Sequence, residues 1–436
     1  MRSEWTAFTL GELCDLRAGS AFKLTHQGKS LGSYPFAKVS DMNLRENSIR
    51  LHGANNWVSE ADLKELHAKP LPPGAVVFAK IGEALRQNRL RITVRDTVID
   101  NNMMGAVPRT AVIDPLFFYY ALSKFDFSQL AQGTALPYLT ASALSKLTVD
   151  VPPRAQQLAI SNVLGALDDR IELNRRMNET LETMARALFN SWFLDFDPVR
   201  AKAEGRDPGL SKPLADIFPN RLVDSELGDI PEGWVVKTIG DLAEVVGGST
   251  PRTDEAAYWR DGVHHWATPK DLSRLVVPVL LDTERHITDA GLSQISSGLL
   301  PVGTVLLSSR APIGYLAVTE VPVAINQGFI AMKPRKGVPN LFLMYWARAA
   351  HDEIVSHANG STFLEISKAS FRPILTVMPS RSALDAFNRV VRPLHLKVVQ
   401  NERESQALAA MRNTLLPKLI SGELRVNLEE VVEGAV

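Results

Sequence analysis

A single cysteine, Cys14, occurs in the 436 residues. That excludes a disulfide within the chain and any cysteine-built zinc centre, and leaves Cys14 to be read as a small half-buried thiol. No run of 18 or more apolar residues is present, so no membrane-spanning helix is expected. Met1-Arg2-Ser3-Glu4-Trp5 is not followed by an apolar segment of the kind a secretory signal carries, and the expected location is cytoplasmic. Net charge is also missing, with 48 Lys and Arg against 48 Asp and Glu. A chain without positive bulk charge does not hold nucleic acid through its overall field, so partners would supply much of any phosphate contact. Reaction signatures are equally scarce. There is no G-x-x-x-x-G-K-[ST], no G-x-G-x-x-G, no H-E-x-x-H, no G-x-S-x-G and no Asp/Asn-Pro-Pro-Tyr. His264-His265 is the one adjacent histidine pair, and neighbours on a strand face opposite sides, so a metal shared between these two is not expected. Asp195-Phe196-Asp197-Pro198 reads as an acidic turn where a helix ends. These absences point to a binding protein.

What the sequence does have is a repeat. Trp5-Thr6 leads into Leu10-Gly11-Glu12-Leu13 as Trp234-Val235 leads into Ile239-Gly240-Asp241-Leu242, at an offset of 229 (234 − 5). Leu71-Pro72-Pro73-Gly74 matches Leu300-Pro301-Val302-Gly303 at the same offset. Phe117 and Tyr120 then meet Phe342 and Tyr345, and by Pro152 and Pro379 the offset has settled at 227 (379 − 152). A unit of roughly 190 residues is far longer than the 20–50 of a solenoid repeat, so this is a duplicated domain.

Each copy divides in two. Its first part mixes short β-rich runs, such as Ala75-Val76-Val77-Phe78 and Thr304-Val305-Leu306-Leu307, with Gly, Pro and Asn turns, which predicts an α+β module. The second part starts beyond Pro152-Pro153 or Pro379, a helix-start signal. Apolar residues then recur in steps of four and three: Ile160, Leu164, Leu167, Ile171, Leu181, Ala185, Leu188 and Trp192 in the first copy, and Phe387, Val391, Leu394, Val398, Leu408, Leu415 and Leu419 in the second. This 3.5-residue seam predicts two long helices that pack on a partner helix. Asn174 and Asn178 interrupt the seam of one, Asn401 and Ser405 that of the other. Antiparallel pairing would bring Asn174 to Asn401 as a polar pair that fixes register; the other reading leaves both facing solvent. The expected boundaries are modules at 1–151 and 234–378, helices at 152–194 and 379–422, a turn-rich connector at 195–233 and a tail at 423–436.

Polar side chains able to contact phosphates and base edges lie at matching places. Lys80, Arg86, Arg89 and Arg91 follow the Pro-Pro-Gly turn of the first module. In the second, Ser309 and Arg310 follow the equivalent turn, with Lys270 upstream and Gln327 downstream. Phe189, Trp192 and Phe193 crowd the end of the first helix and are expected to be exposed apolar groups that a partner covers.

With these segments in view, the chain resembles a specificity subunit of a type I restriction-modification system. The resemblance rests on Gly247-Gly248-Ser249-Thr250-Pro251, Trp266-Ala267-Thr268-Pro269-Lys270-Asp271-Leu272, Ser309-Arg310-Ala311-Pro312-Ile313-Gly314 and Asn326-Gln327-Gly328-Phe329. It also rests on Pro231-Glu232-Gly233-Trp234, on Phe189 with Trp192-Phe193 and Asp195-Phe196, and on Leu415-Leu416-Pro417-Lys418-Leu419 with Ser421-Gly422. The first module departs from the pattern where Lys80-Ile81-Gly82 stands for Ser309-Arg310-Ala311. The resemblance implies two α/β target recognition domains, each reading one half of a split DNA sequence, separated by two long antiparallel coiled-coil helices in a pseudo-two-fold repeat. It implies partners too: double-stranded DNA, two modification subunits that bring S-adenosylmethionine and methylate adenine, and restriction subunits that cleave. The chain itself would bind no cofactor and carry no catalysis, since a partner that flips the base supplies the chemistry. Two other readings stand beside this one: a stand-alone sequence-specific DNA-binding protein, and an enzyme with an unfamiliar site.

Overall fold

The computed structural model describes residues 5–133, 136–310, 312–360 and 364–427. Ala311, part of one family-like segment, lies outside them, as do the ends of the chain and most of the tail from 428 on. The chain forms two compact units: Met1–Leu173 with Ser405–Val436, and Asn174–Glu404. Among the described residues no helix is long and apolar enough to cross a membrane.

In the first unit five strands run in the spatial order Cys14–Ala18, Met103–Pro108, Val76–Ala79, Leu90–Thr93 and Arg50–Leu51. Tyr34–Ala37 sits between Trp57–Val58 and Val98–Ile99 in a second sheet, and Thr6–Thr9 pairs antiparallel with Thr148–Val151. The second unit repeats this plan strand for strand: Ala243–Val246, Phe329–Pro334, Val305–Ser309, Ile313–Thr319 and Val279–Leu280; then Arg285–Ile287, His264–Ala267 and Val323–Ile325; then Val235–Thr238 with Leu375–Met378. The duplication therefore extends to register, with Thr9 opposite Thr148 and Thr238 opposite Leu375.

Matched local chemistry explains the matched geometry. After the opening strand, Thr9 and Thr238 each donate from hydroxyl and backbone N–H to the carboxylate three residues on, Glu12 or Asp241, and this starts a one-turn helix. The proline-rich turns before Val76–Ala79 and Val305–Ser309 close on Gly74 (φ 86°) and Gly303 (φ 87°), a left-handed conformation that costs other residues strain. Both modules then cover their five-stranded sheet with a very apolar helix, Pro115–Ser123 or Asn340–Ala349, which buries Phe117, Phe118 and Tyr120 or Phe342, Met344 and Tyr345.

The long helices run Arg154–Phe193 and Arg381–Ile420, 40 residues each, or about 60 Å at 1.5 Å per residue. Each unit contains the first half of one and the second half of the other. In the first unit Ile160 and Leu164 share a core with Leu419 and Ile420, while buried Asp168 receives a hydrogen bond from Tyr120 and pairs at 2.6 Å with Arg412. In the second, Asn178 meets Asn401 and, further along, Phe189 meets Phe387, so the pairing is antiparallel. The seam asparagines do not face solvent. Asn174, Asn178 and Asn401 are at most 1 % exposed. Asn401 Nδ2 donates to Asn178 Oδ1 at 2.8 Å, and Asn174 Nδ2 donates to Glu404 Oε2 at 3.0 Å and to the Asn401 carbonyl at 3.4 Å.

One expectation is corrected here. Phe189, Trp192 and Phe193 are not exposed: they are 1 %, 2 % and 5 % accessible, inside the main core of the second unit. Phe342, Phe387, Trp234 and Phe218 pack on them at ring-centroid distances of 5.0 to 6.4 Å. The cover comes partly from the segment read as a turn-rich connector. It carries the helices Asp197–Ala203 and Lys212–Ala215 and the strand pair Leu222–Val223 with Ile230–Pro231, and it buries Phe196, Val199 and Phe218 in that core.

Candidate nucleic-acid interface

In the second unit the family-like segments, far apart in sequence, meet in space. Gly248 lies so close to the end of strand Val323–Ile325 that an added Cβ would sit 1.8 Å from the Ile325 carbonyl oxygen. Ser249 N–H donates to that oxygen, and Trp266 Nε1 donates to the Ser249 carbonyl. Asn326 N–H donates to Ala267 O, and Gly328 packs on the ring of Pro269. Ser309 N–H donates to Gly328 O, which brings the end of strand Val305–Ser309 to the same place. The four segments form one loop cluster held by backbone hydrogen bonds.

The individual side chains take different parts in it. Gln327 is exposed and its Oε1 accepts from the Thr250 hydroxyl at 2.6 Å. Lys270 is exposed and pairs with Glu284 at 3.1 Å; this contact holds the Glu284 carboxyl below its ordinary range, and Arg274 adds to the effect. Arg310 is 37 % exposed, pairs in a bridge with Glu365 and places its guanidinium 3.6 Å from that carboxylate. Ser309 is only 3 % exposed, so its position in the sequence overstates its reach: its backbone ties the cluster while its side chain is covered. Asp271, also within a motif, is structural. It is 9 % exposed, accepts from Thr268 at 2.7 Å and from Glu284 N–H at 2.8 Å, and so shapes the turn that presents Lys270.

The first unit builds its loops on the same frame with other side chains. Lys80 occupies the place of Ser309 and Ile81 that of Arg310, since Ile81 bridges Tyr138 as Arg310 bridges Glu365. Lys80 is half-buried, with its N–H donating to Asn102 O and its carbonyl accepting from Leu139, both at 2.8 Å. Arg86 is exposed and pairs with Glu83 at 3.2 Å, and Arg89 is exposed. Arg91 is structural: its guanidinium donates to the backbone carbonyls of Asn47, Met42 and Leu90.

Two further candidates escaped the sequence reading. Lys38 stands where Thr268 does and reaches Gln27 Oε1 at 2.6 Å with the Phe22 ring 5.2 Å away. Aligning Phe36-Ala37-Lys38 with Trp266-Ala267-Thr268 would have found it. Arg285, itself exposed, lies 3.5 Å over the Trp259 ring and 5.4 Å from that of buried Trp266, a cation–π stack that only the pairing of strands Arg285–Ile287 and His264–Ala267 reveals.

Residues 2–183 and 231–378 match the model of the type I restriction modification DNA specificity domain. The chain is 26 % identical to the specificity subunit of the type I restriction enzyme HindI of Haemophilus influenzae, over 83 % of this chain and 89 % of that one. It is 25 % identical to the specificity subunit of the MjaIX enzyme of Methanocaldococcus jannaschii, over 97 % and 94 %. Among solved structures, the S subunit of a type I restriction-modification system from M. genitalium superposes with a TM-score of 0.60 at 17 % identity, covering 95 % of this chain and 96 % of that one, a likeness of fold.

Proposed function

Since the chain belongs to the type I restriction-modification DNA specificity family, we propose that each of its two modules reads one half of a bipartite double-stranded DNA target and that the long helices dock two modification subunits. The observation that carries this reading is the loop cluster of the second module, where Lys270, Arg310, Gln327 and Thr250 project from segments locked together by backbone hydrogen bonds. A rigid frame with exchangeable polar side chains suits base readout, and the first module offers the same frame with Lys80, Arg86, Arg89 and Lys38. Two frames with unlike side chains would read two unlike half-sites.

The chain then supplies specificity without chemistry. S-adenosylmethionine belongs to the modification subunits, and restriction subunits join the assembly to cleave. With zero net charge, this chain has no overall positive field to hold DNA, so the partners are expected to contribute much of the phosphate contact. Phe189, Trp192 and Phe193 being buried, the exposed apolar side chains of the helices that support docking are others, such as Leu158, Leu173, Met184, Leu396 and Met411, 42 to 54 % exposed.

The test is DNA binding by the chain with and without a methyltransferase partner. Tight sequence-specific binding is expected only in the complex. Nanomolar specific binding by the chain alone at physiological salt would overturn the division of labour and favour a stand-alone DNA-binding protein.

A further inference from the structure

His264 and His265 do face opposite sides of their strand, but His265 has another neighbour. It lies directly opposite His286 in the antiparallel pair of His264–Ala267 with Arg285–Ile287. Residues directly opposite share a face, and Asp282, in the turn before that strand, reaches the same spot. Three atoms converge: His265 Nδ1 and His286 Nε2 are 3.1 Å apart, His265 Nδ1 and Asp282 Oδ1 3.1 Å, and His286 Nε2 and Asp282 Oδ1 3.3 Å.

This triangle is hard to satisfy with protons. If one of the two ring nitrogens carries hydrogen, it serves the two edges it touches and leaves lone pair against lone pair on the third. If both carry hydrogen, each can donate to the carboxylate, but then N–H opposes N–H. A cation satisfies all three at once. Ligand atoms about 2.1 Å from a zinc ion lie about 3.4 Å apart at a tetrahedral angle and about 3.0 Å apart at a right angle, and the three observed edges fall between these values. An ion about 2.1 Å from all three atoms would sit about 1 Å off their plane. Its outer side would face solvent, since the side chains are 24 %, 33 % and 67 % exposed for His265, His286 and Asp282.

The first module shows that the fold does not require these histidines. There the same register positions hold Pro35 opposite Trp57, an apolar pair. The neighbouring tie is kept in both modules: Tyr34 donates to Glu60 in the first, and His264 lies 2.7 Å from Asp289 in the second. His264 with Asp289 is thus a strand-to-helix tie, whereas the pair formed by His265 and His286 is an addition confined to the second module.

We infer that His265 Nδ1, His286 Nε2 and Asp282 Oδ1 form a three-ligand site for a divalent first-row transition metal, with Zn2+ the best match to two imidazoles and one carboxylate. A bound ion fastens the 282–286 segment to the strand beneath it. That segment carries Thr283, whose hydroxyl accepts from Trp266 N–H, and Glu284, which faces Lys270. The metal is therefore a rivet at the base of the Lys270 loop.

The experiment uses the tag-free chain, stripped with a chelator and titrated with Zn2+ against a chromophoric competitor. One equivalent should bind, and His286→Ala, His265→Ala and Asp282→Asn should each weaken binding by more than about tenfold, while His264→Ala leaves it unchanged. Melting curves of the metal-free variants show that they remain folded. Co2+ in the unmodified chain gives an independent reading, a ligand-field absorption band that zinc displaces at one equivalent. Binding well below one equivalent in the unmodified chain, or undiminished affinity in His286→Ala, would overturn the site.

Discussion

At Arg310 two roles compete for one guanidinium. Its partner Glu365 is 3.6 Å away and both side chains are more than a third exposed. A pair so well solvated contributes about 0–1 kcal/mol to stability, so the arginine is not needed to hold its loop. Arg310→Ala is accordingly expected to melt within a few degrees of the parent. In the assembled complex it should either relax discrimination at one base of one half-site by about 1–3 kcal/mol or weaken binding to all sequences with a shallower salt slope. Competition binding across a half-site library checks this; unchanged binding together with a large fall in melting temperature would assign Arg310 to bracing. Cys14 makes a second case. Burial beside Asp15 pushes its thiol from the ordinary 9.0 up to about 12. In the pH range between those values the unfolded chain has lost the proton that the folded chain still holds, so stability falls as pH rises there and is undiminished by this group below pH 9. The slope from this one group is up to about 1.4 kcal/mol per pH unit. Denaturant midpoints of the parent should therefore decline more steeply above pH 9 than those of Cys14→Ala. Equal slopes would show that the thiol does not contribute.

Among the elements, the polar layer of the helix pair gives the sharpest contrast. Asn401→Leu removes the donor to Asn178 Oδ1 at a site 1 % exposed. An acceptor left without its donor in such a place costs about 1–3 kcal/mol. Asn178→Leu with Asn401→Leu removes both groups, and most of that loss should return, because apolar replacement of a whole buried pair is often neutral. Chemical denaturation of the single and double variants checks it; a double variant as unstable as the single losses added together would mean the asparagines act independently. The two long helices and the polar break in their seam were legible in the sequence pattern, whereas their antiparallel sense was implied only by the family resemblance. The strand plan was legible only as a repeat, because order and crossover are set by pairings between residues far apart. Burial at helix ends was misread at Phe189, Trp192 and Phe193, whose cover comes partly from the connector at Phe218, read from its turn residues alone, and partly from Phe342 and Phe387, about 150 to 200 residues along the chain, where local pattern carries no information. At Ser309 type and position suit a contact, but its low exposure, 3 %, depends on the fold around it, where its backbone is tied to Gly328 and Ile366.

For the molecule as a whole, the resemblance implies recognition domains separated by the long helices, so helix length is expected to set the distance between the half-sites, in a simple numerical form. Inserting four residues into the middle of both helices adds about 6 Å of helix, close to two base pairs at 3.4 Å each. A survey of methylated sites in cells carrying the altered subunit should find both half-sites unchanged and the gap between them longer. An unchanged gap would refute the spacing role. The division of each helix between two compact units also bears on how the protein is made. Synthesis delivers the first module, with Ile160 and Leu164 on its helix, more than 200 residues before the segment from Ser405 onward that completes its core with Leu419 and Ile420. Until residues 405 onward are made, Ile160 and Leu164 lack the cover of Leu419 and Ile420. A chain lacking residues 405–427 would therefore leave Ile160 and Leu164 without that cover, an open core for the cell's chaperones and proteases to find.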